Sequence, residues 1–379
     1  MRKCEVRSVK ISKKLRSNLI TYAMVIIAYL ICLIAIDGKI IEGFKMTRSL
    51  KGQLVPICVY IVMAVSLNLT VGISGELSLG HAGFMSVGAF SGIIMSSWLA
   101  SAFGGSESAL AFLADDKTVR LILAIIAGGA VAGIAGVLIG IPVLRLRGDY
   151  LAIVTLAFGE IIRNVLNTLY FAVDGAALNI GFNNPNIVGK MIYNGPAGAV
   201  GVQKIATFDM GFVLIIFTLF VVLNLVNSRS GRAIMAIRDS RIAAESVGLN
   251  VTKYKMMAFV TSAVLAGMAG ALYGLNYSTV TAAKFKFDTS ILVLVFVVLG
   301  GIGNIRGSVI AAAALTLLPE LLRSFSTYRM LVYAIVLILV MLATNSPILK
   351  NLWAKITLIP AVEKLMAKLP KSRKAGDAA

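Results

Sequence analysis

Residues 121–143 read LILAIIAGGAVAGIAGVLIGIPV, which is 23 consecutive residues without an ionisable side chain. A helix of that length rises about 35 Å at 1.5 Å per residue, and the hydrocarbon core of a bilayer is about 30 Å thick. The stretch is therefore long enough and apolar enough to cross a membrane. Gly129–Gly133 and Gly136–Gly140 form two GxxxG spacings within it, which let a neighbouring helix approach the backbone closely. This stretch predicts one span of a compact helical bundle.

The whole chain has the composition of such helices. Of its 379 residues, 58% are hydrophobic and 14% are charged, whereas soluble domains are about 45–50% apolar and about 25% charged. The three cysteines, Cys4, Cys32 and Cys58, are too few for a disulfide scaffold, and the last two lie in apolar runs. The composition predicts an all-α integral membrane protein and excludes both a soluble globular domain and a secreted disulfide-rich one.

Ten hydrophobic segments can be counted, and they predict a polytopic bundle of about 8–10 transmembrane helices. Seven are near full length: Leu19–Ile36, Leu54–Val71, Ala82–Ala100, Leu121–Val143, Tyr150–Ala172, Gly211–Val226 and Met256–Leu275. Three are shorter: Ile291–Ile302, Val309–Leu322 and Met330–Ala343. The first two of these flank the glycine-rich stretch 300–307, so they either span twice or dip back as re-entrant helices. Either arrangement gives an even number of crossings and places both termini on one side.

The positions of Lys and Arg predict which side that is. The chain holds 36 Lys+Arg against 17 Asp+Glu, a formal net charge of +19. By parity, most of the basic residues share one side: those of the tails (1–18 and 344–379), Arg145, Arg147, Arg306 and the loop 228–255. We therefore expect a transmembrane domain over residues 19–343, with both termini cytoplasmic. The apolar run after the basic N-terminal stretch has no convincing cleavage site and is interpreted as a first span.

The sequence holds no recognisable catalytic or phosphate-binding motif. Gly38-Lys39 and Gly189-Lys190 are followed by Ile and Met, so neither completes a Walker A loop, and no G-x-S-x-G elbow occurs. The single histidine, His81, has no cluster of Cys or Asp beside it that would make a metal site. We expect the chain to bind no cofactor and to have no ATPase site of its own.

Ionisable residues at membrane depth are candidates for function because they are costly there. Glu160 and Arg163 are three residues apart, as are Glu320 and Arg323, so each couple can pair on one helix face. His81 follows the stretch GELSLG that contains Glu76. It could relay protons with a glutamate, or hydrogen-bond to unwound backbone at a helix break.

The loop between the sixth and seventh segments reads NSRSGRAIMAIRDSRIAAESVGLNVTKYK over residues 227–255. Its apolar residues form a partial stripe that predicts one short amphipathic helix ended by Gly248: Ile234, Ile237, Ile242, Ala243 and Val247. From its residues alone, such a helix either lies on the lipid surface or inserts into a groove of a cytoplasmic partner.

Four blocks of sequence carry a resemblance to a known family. They are SLNLTVGISGELSLGHAGFMSVGAF from Ser66, LRLRGDYLAIVTLAFGEIIRN from Leu144, GRAIMAIRDSRIAAESVGLNVTKYKMMAFVTSAVLAGMAGALYG from Gly231, and GGIGNIRGSVIAAAALTLLPELLR from Gly300. The chain resembles the M-type permease subunit of branched-chain amino-acid ABC importers. The SLGHAGF core is shared with related amide, urea and hydrophobic amino-acid permeases, and the RGDY stretch at residues 147–150 favours branched-chain amino acids.

The resemblance implies a type II-like importer fold, with two inverted half-repeats and an arrangement related to the vitamin B12 permease. It implies four kinds of partner: a second homologous permease subunit, two cytoplasmic ATP-binding subunits, a periplasmic substrate-binding protein and membrane lipid. It also implies that the loop between segments six and seven couples the permease to the ATPase. The expected coupling residues are Gly231, Arg232, Arg238, Asp239, Ala244, Glu245 and Gly248.

The expected substrate pathway uses the glycine-rich break after the second segment, because such breaks expose backbone N–H and C=O groups. Its candidate residues are Asn68, Gly72, Ser74, Glu76, Ser78 and His81. The implied function is import of leucine, isoleucine and valine by alternating access, with ATP used by the partner subunits. Three alternatives stay open: an ABC permease for urea, amides or other amino acids; a proton-coupled secondary transporter; and a passive channel for a small solute.

Overall fold

A computed structural model describes residues 13–37, 48–103, 116–146, 148–175, 177–183, 188–323 and 328–345. The chain divides into two units, residues 1–320 and residues 321–379. The predicted tails lie mostly outside the described residues, as does Arg147. The predicted boundaries of the permease domain therefore stay predictions.

The described chain is built mainly of helices. Their bounds are α1 Lys13–Asp37, α2 Arg48–Asn68, α3 His81–Phe103, α4 Lys117–Val143, α5 Asp149–Thr168, α6 Phe208–Asn227, α7 Arg229–Asp239, α8 Arg241–Ser246, α9 Val251–Gly274, α10 Phe287–Gly300, α11 Ile305–Leu321 and α12 Arg329–Asn345. Each of the ten predicted segments falls on one of these helices, which confirms the polytopic helical fold. By length and composition, α1 to α6 and α9 qualify as membrane spans, with α2 counted together with the π-helical turn that follows it. The other three apolar helices, α10 to α12, have 14 to 17 residues.

The α11 helix lies along α2. The loop before it lies beside the end of α2, where the Gly303 N–H donates to Asn68 Oδ1 over 2.8 Å. At the other end of α11, Glu320 accepts a hydrogen bond from Ser49, at the start of α2. These contacts favour a spanning α11, whereas the 14-residue α10 has no such pair of contacts among the described residues, so the spanning of the pair stays a prediction.

The core of the bundle is formed by α3, α4 and α9, whose backbones come close at glycines. A β-carbon at Gly88 would overlap the backbone of Gly267, and one at Gly270 would overlap the carbonyl of Met85. The predicted GxxxG positions of α4 also face α9, as expected from the small residues that membrane helices use at interfaces. β-Carbons at Gly129, Gly133, Gly136 and Gly140 would overlap the side chains of Met268, Val264, Ala263 and Met256, respectively.

A five-stranded antiparallel sheet caps one end of the bundle and was not predicted. Its strands are β1 Leu169–Asp174, β2 Ala177–Phe182, β3 Lys190–Asn194, β4 Gly198–Val200 and β5 Thr279–Val280, in the order β2-β1-β3-β4-β5. The fifth helix was expected to continue to Ala172, but it ends at Thr168 and the chain passes straight into β1. The residues from Leu169 to Val173 include Tyr, Phe and Val, which favour strands as well as apolar helices.

Tyr193 of β3 anchors the sheet on the helices. Its ring lies edge-on to that of Phe90 of α3, with 4.7 Å between the ring centroids. Its hydroxyl donates to the Leu166 carbonyl of α5 over 2.8 Å. Burial raises the pKa of this hydroxyl, which keeps it a donor across the physiological range. The sheet is thus fixed to both α3 and α5.

Candidate functional site

The segment between α2 and α3 is a helix break at the end of the bundle opposite the sheet. After α2 the chain forms one π-helical turn, Leu69–Ile73, and then an irregular stretch up to His81. The Leu79 N–H donates to Thr155 Oγ1 of α5, and the Ala82 N–H donates to Ser290 Oγ of α10. Side chains on two other spans therefore satisfy backbone groups that a broken helix leaves open.

Asn68 joins this break to the loop between α10 and α11. Its side chain is fully buried, accepts from the Gly303 N–H and donates to Ser308 Oγ over 2.8 Å. A β-carbon at Gly72 would overlap both the Asn68 amide and the Gly303 backbone. Two chain segments about 230 residues apart therefore meet at Gly72 with no room for a side chain.

His81 is a buried structural residue in this conformation. Its Nε2 lies 2.8 Å from Ser66 Oγ, and the Ser66 hydroxyl donates to the Met63 carbonyl over 2.9 Å. The Ser66 hydroxyl thus lies between the Met63 carbonyl and His81 Nε2, and the imidazole tautomer decides which of Ser66 and His81 donates. This arrangement favours the structural reading of His81 over the proton relay, although its partner is a side chain and not the unwound backbone.

The predicted pathway residues do not line a cavity in this conformation. Asn68, Ser74, Ser78 and His81 are at most 3% exposed, and Gly72 is enclosed by its neighbours. Three cavities among the described residues are lined by others: one of about 250 Å³ between α3 and the sheet, an apolar one of about 400 Å³ between α1, α2, α6 and α11, and an apolar one of about 280 Å³ between α4, α6 and Met268 of α9. Asn68 and His81 bond within the bundle, whereas Ser78 Oγ is buried without a hydrogen-bond partner in the described chain. The expectation that these residues contact substrate stays a prediction.

Glu76 is the exception, because it faces the segment between α6 and α9. It forms an ion pair with Lys255 at the start of α9, and the two side chains are only 12% and 13% exposed. Beside it, the Arg238 Nη1 of α7 donates to the Gly72 carbonyl over 2.9 Å, and the Arg238 stem covers Gly75. The helix break and the expected coupling segment are therefore in direct contact.

The coupling segment is two helices rather than the one predicted. Ser240 ends α7, and in an extended conformation its hydroxyl accepts from the Ala243 N–H to cap α8. A serine that bonds the backbone in this way favours a new helix start over a continued helix. The Asp-Ser pair at 239–240 was a signal of this break in the sequence.

The break divides the predicted apolar stripe into a buried part and an exposed part. Ile234 and Ile237 of α7 are buried, and Ala244 of α8 is 4% exposed in a cluster with Ile237 and Val251. In contrast, Ile242 is 83% exposed and Val247 is 81% exposed. The outward-facing residues of the predicted stripe are thus Ile242, Ala243 and Val247, of which Ile242 and Val247 are the large ones.

Two of the expected coupling residues have structural roles instead. Ala244 is buried, so it cannot contact a partner in this conformation, and a β-carbon at Gly231 would overlap the carbonyls of Leu225 and Val226. Arg238 Nη1 donates to the Gly72 carbonyl over 2.9 Å. Arg238 Nε and Nη2 donate to Asp239 Oδ1 over 3.1 and 2.9 Å.

The remaining expected coupling residues lie at the surface. Arg232 and Asp239 are exposed, Glu245 is exposed and paired with Arg241, and Gly248 ends α8 with φ of +86°. This left-handed conformation is the reason for glycine at that position. Their arrangement around Ile242 and Val247 makes a mixed charged and apolar surface outside the spans.

The predicted Glu160–Arg163 pair is confirmed on α5. Arg163 Nε and Nη2 both lie 2.7 Å from Glu160 Oε2. The corresponding prediction for Glu320 and Arg323 crosses the boundary of the two units, and Glu320 bonds Ser49 within its own unit.

A bundle of apolar helices, broken at one end where it carries an external two-helix segment, is the architecture of a polytopic membrane permease. The chain belongs to the family described as branched-chain amino acid transport system / permease component, whose sequence model matches residues 49–341. This membership confirms the resemblance seen in the sequence. No solved structure matches this chain significantly.

Three relatives show how broad the likeness is. The high-affinity branched-chain amino acid transport system permease protein LivM of Salmonella typhimurium is 33% identical over 75% of this chain and 66% of its own length. The ribose import permease protein RbsC of Escherichia coli is 28% identical over 83% of this chain and 91% of its own. The permease protein LivH of the Salmonella branched-chain amino acid system is 24% identical over 81% and 93%. The match thus spans slightly less than two thirds of the LivM chain.

Proposed function

We propose that this chain is the M-type membrane subunit of an ATP-driven importer for leucine, isoleucine and valine in a bacterial inner membrane. It works with a second homologous permease subunit, two cytoplasmic ATP-binding subunits and a periplasmic substrate-binding protein. The family membership and the LivM likeness support the substrate class, and the likeness to LivH supports a paired permease. ATP is bound by the partner subunits, and both termini are cytoplasmic.

The observation that carries the proposal is the contact between the external segment and the helix break. Arg238 reaches the Gly72 carbonyl and Lys255 reaches Glu76, so a displacement of α7 and α8 pulls directly on the backbone between α2 and α3. Gly72 in turn packs on Gly303, which links the movement to α10 and α11. A partner that binds the segment in one state better than in another would shift the bundle between its conformations.

Ile242 and Val247 are the proposed anchors for the ATP-binding subunit. Both point away from the bundle, and charged residues surround them, as at an interface with an apolar centre and a polar rim. Arg232, Asp239 and Glu245 form the proposed rim, whereas Ala244 and Gly231 hold the segment in shape.

The test is purification of the assembled importer in mild detergent, followed by uptake in liposomes that contain ATP. We expect Ile242→Asp and Val247→Asp to release the ATP-binding subunits and to abolish uptake of leucine. The matched control is Val188→Asp, an equally exposed aliphatic residue at the sheet end of the bundle, which should leave both unchanged. Normal attachment and normal uptake in both α8 variants would disprove the docking role.

A second candidate, sugar import, is favoured by the RbsC likeness, which covers more of both chains than the LivM likeness does. Competition separates the two: isoleucine and valine should block uptake of radioactive leucine, and ribose should not. A proton-coupled carrier predicts that uptake stops when an ionophore dissipates the proton gradient while ATP persists. Passive conduction predicts equilibration without accumulation.

A further inference from the structure

The exposed face of α5 differs in chemistry from the exposed faces of α1 and α4. The exposed large residues of α1 and α4 are aliphatic, including Ile27, Ile134 and Leu138, as expected of faces in contact with lipid. On α5 the half nearer the helix break is also apolar, with Tyr150 71% exposed and Ile153 61% exposed. The half nearer the sheet exposes Ile161 and Val165, and it also carries four polar residues, Glu160, Arg163, Asn164 and Asn167.

These four polar residues form one row along the helix. They stand at positions i, i+3, i+4 and i+7, which share a face and extend about 10 Å along the axis. The opposite face of α5 packs into the bundle through Leu151, Thr155 and Leu166, all buried. The polar row therefore lies outside the packed face of α5, beside the exposed stripe of Ile153, Ala157, Ile161 and Val165; Asn164 is exposed and the other three polar residues are half-buried.

The polar row contains donor and acceptor atoms that the ion pair does not use. Both contacts of the ion pair use Glu160 Oε2, with side chains that are 35% and 24% exposed for Glu160 and Arg163. Within the part of the chain that the structure describes, Glu160 Oε1, Arg163 Nη1 and the amides of Asn164 and Asn167 have no hydrogen-bond partner. Polar groups facing hydrocarbon without partners would cost several kcal/mol, by an order-of-magnitude estimate.

We propose that this polar row lines a water-filled translocation path and binds the charged head group of a zwitterionic amino acid. Arg163 Nη1 suits the carboxylate, since guanidinium binds carboxylate by charge-assisted hydrogen bonds, and Glu160 Oε1 suits the ammonium group. The exposed Ile153 and Ala157, one to two turns toward the helix break, suit an aliphatic side chain. This inference rests on the proposed import of amino acids and adds a binding site to it.

Labelling of single cysteines tests whether water reaches the row. In the assembled importer, a membrane-impermeant cationic thiol reagent should modify the Asn164→Cys and Asn167→Cys variants, and leucine should slow the reaction. All variants are built in a Cys4→Ser chain, because Cys4 lies in the predicted cytoplasmic tail. The matched controls are Ile134→Cys on the aliphatic face of α4 and the Cys4→Ser chain itself, whose Cys32 and Cys58 lie in apolar surroundings. Both should stay unlabelled. Absence of labelling at both asparagine positions would overturn the proposal.

Transport kinetics test whether the ion pair contacts substrate. Arg163→Gln and Glu160→Gln should each raise the KM for leucine roughly tenfold to a hundredfold, the equivalent of one hydrogen bond to a charged group. If the pair only stabilises α5, the exchanged variant Glu160→Arg/Arg163→Glu should restore the KM. If it binds a zwitterion in one orientation, the exchange should not restore it.

The outcomes separate this inference from the proposed function. Leucine uptake driven by ATP, together with unlabelled asparagine positions or a KM restored by the exchange, refutes only the path along α5. In that case the polar row contacts the second permease subunit. If Asn164→Cys and Asn167→Cys are labelled but the importer does not transport leucine, the proposed substrate is refuted. The polar row then lines a path for another solute.

Discussion

The two ends of the bundle are held together by different chemistry. At the end with the helix break, individual side chains make the contacts between segments: Asn68 to Gly303 and Ser308, Arg238 to Gly72, and Lys255 to Glu76. At the other end, backbone ladders join five strands, and aromatic rings pack the sheet on α3. Separate side-chain contacts can be exchanged one at a time, whereas a ladder opens only as a unit. The comparison indicates that conformational change is concentrated at the break.

The largest effect is expected from Gly72→Ala, which fills the contact between the break and the loop of Gly303. The added β-carbon overlaps the Asn68 amide and the Gly303 backbone, and backbone cannot move aside as a flexible side chain can. Overpacking of this kind costs about 1–3 kcal/mol or more. We expect a lower melting temperature in detergent and loss of uptake.

The control for this variant is Gly52→Ala in α2, where no atom lies within 4 Å of the added carbon. It should keep or slightly raise the melting temperature, since alanine is favoured over glycine by about 1 kcal/mol within a helix. Equal melting temperatures for Gly72→Ala and the wild type would show that the contact is looser than described.

The next effect concerns the link between the break and α9. Glu76→Gln leaves the Lys255 ammonium largely buried without its charge partner. Because both side chains keep some exposure and the amide oxygen can still accept, we expect a cost of about 1–2 kcal/mol, below that for a fully buried pair. We expect hydrolysis of ATP by the assembled importer to continue while leucine uptake falls. The measurement is the ratio of uptake to hydrolysis in liposomes.

An exposed ion pair of the same segment provides the comparison. Glu245→Gln removes the partner of Arg241 at the surface of α8, and such pairs contribute at most about 0.5 kcal/mol. It should leave the melting temperature nearly unchanged. If Glu76→Gln matches Glu245→Gln in both the melting temperature and the ratio of uptake to hydrolysis, the Glu76–Lys255 pair does not couple ATP hydrolysis to uptake.

The sequence predicted features that depend on local pattern. Hydrophobicity accumulates along a single stretch, so all ten apolar helices could be located, and the i, i+3 spacing of Glu160 and Arg163 was sufficient to predict their pair. The position of the coupling segment also followed from charge and periodicity. In each case the information lies within a few turns of one helix.

The features that the sequence did not predict depend on distant residues. Lys255 pairs with a glutamate 179 residues away, and β5 completes a sheet whose other strands lie about 80 residues earlier. The resemblance made Ala244 an expected coupling residue, but Ala244 is buried against Ile237 and Val251. The new helix start at Ser240 leaves Ile242, Ala243 and Val247 exposed. The spacing of apolar residues within one helix does not indicate how the next helix is oriented.

A third variant tests the sheet end. Tyr193→Phe removes the hydroxyl bound to the Leu166 carbonyl but keeps the ring against Phe90. The Leu166 carbonyl keeps the Leu169 N–H as a donor, so the variant loses one hydrogen bond, which costs about 0.5–1.5 kcal/mol. We expect a lower melting temperature with an unchanged ratio of uptake to hydrolysis, because the sheet end is not part of the coupling path. A changed ratio would contradict the assignment of motion to the break.

The smallest effect is expected at the rim of the coupling segment, with Gly248→Ala. No atom lies within 4 Å of the added β-carbon, so the variant tests the backbone conformation alone. At φ of +86° a residue with a β-carbon is strained by about 1 kcal/mol, and Asn tolerates this region better than Ala. The melting temperature should therefore follow the order Gly, Asn, Ala, with the ATP-binding subunits still attached in all three. Because Gly248 directly follows Val247, loss of those subunits in the Ala variant but not in the Asn variant would mean that docking requires the turn itself, and the anchors would then extend beyond Ile242 and Val247.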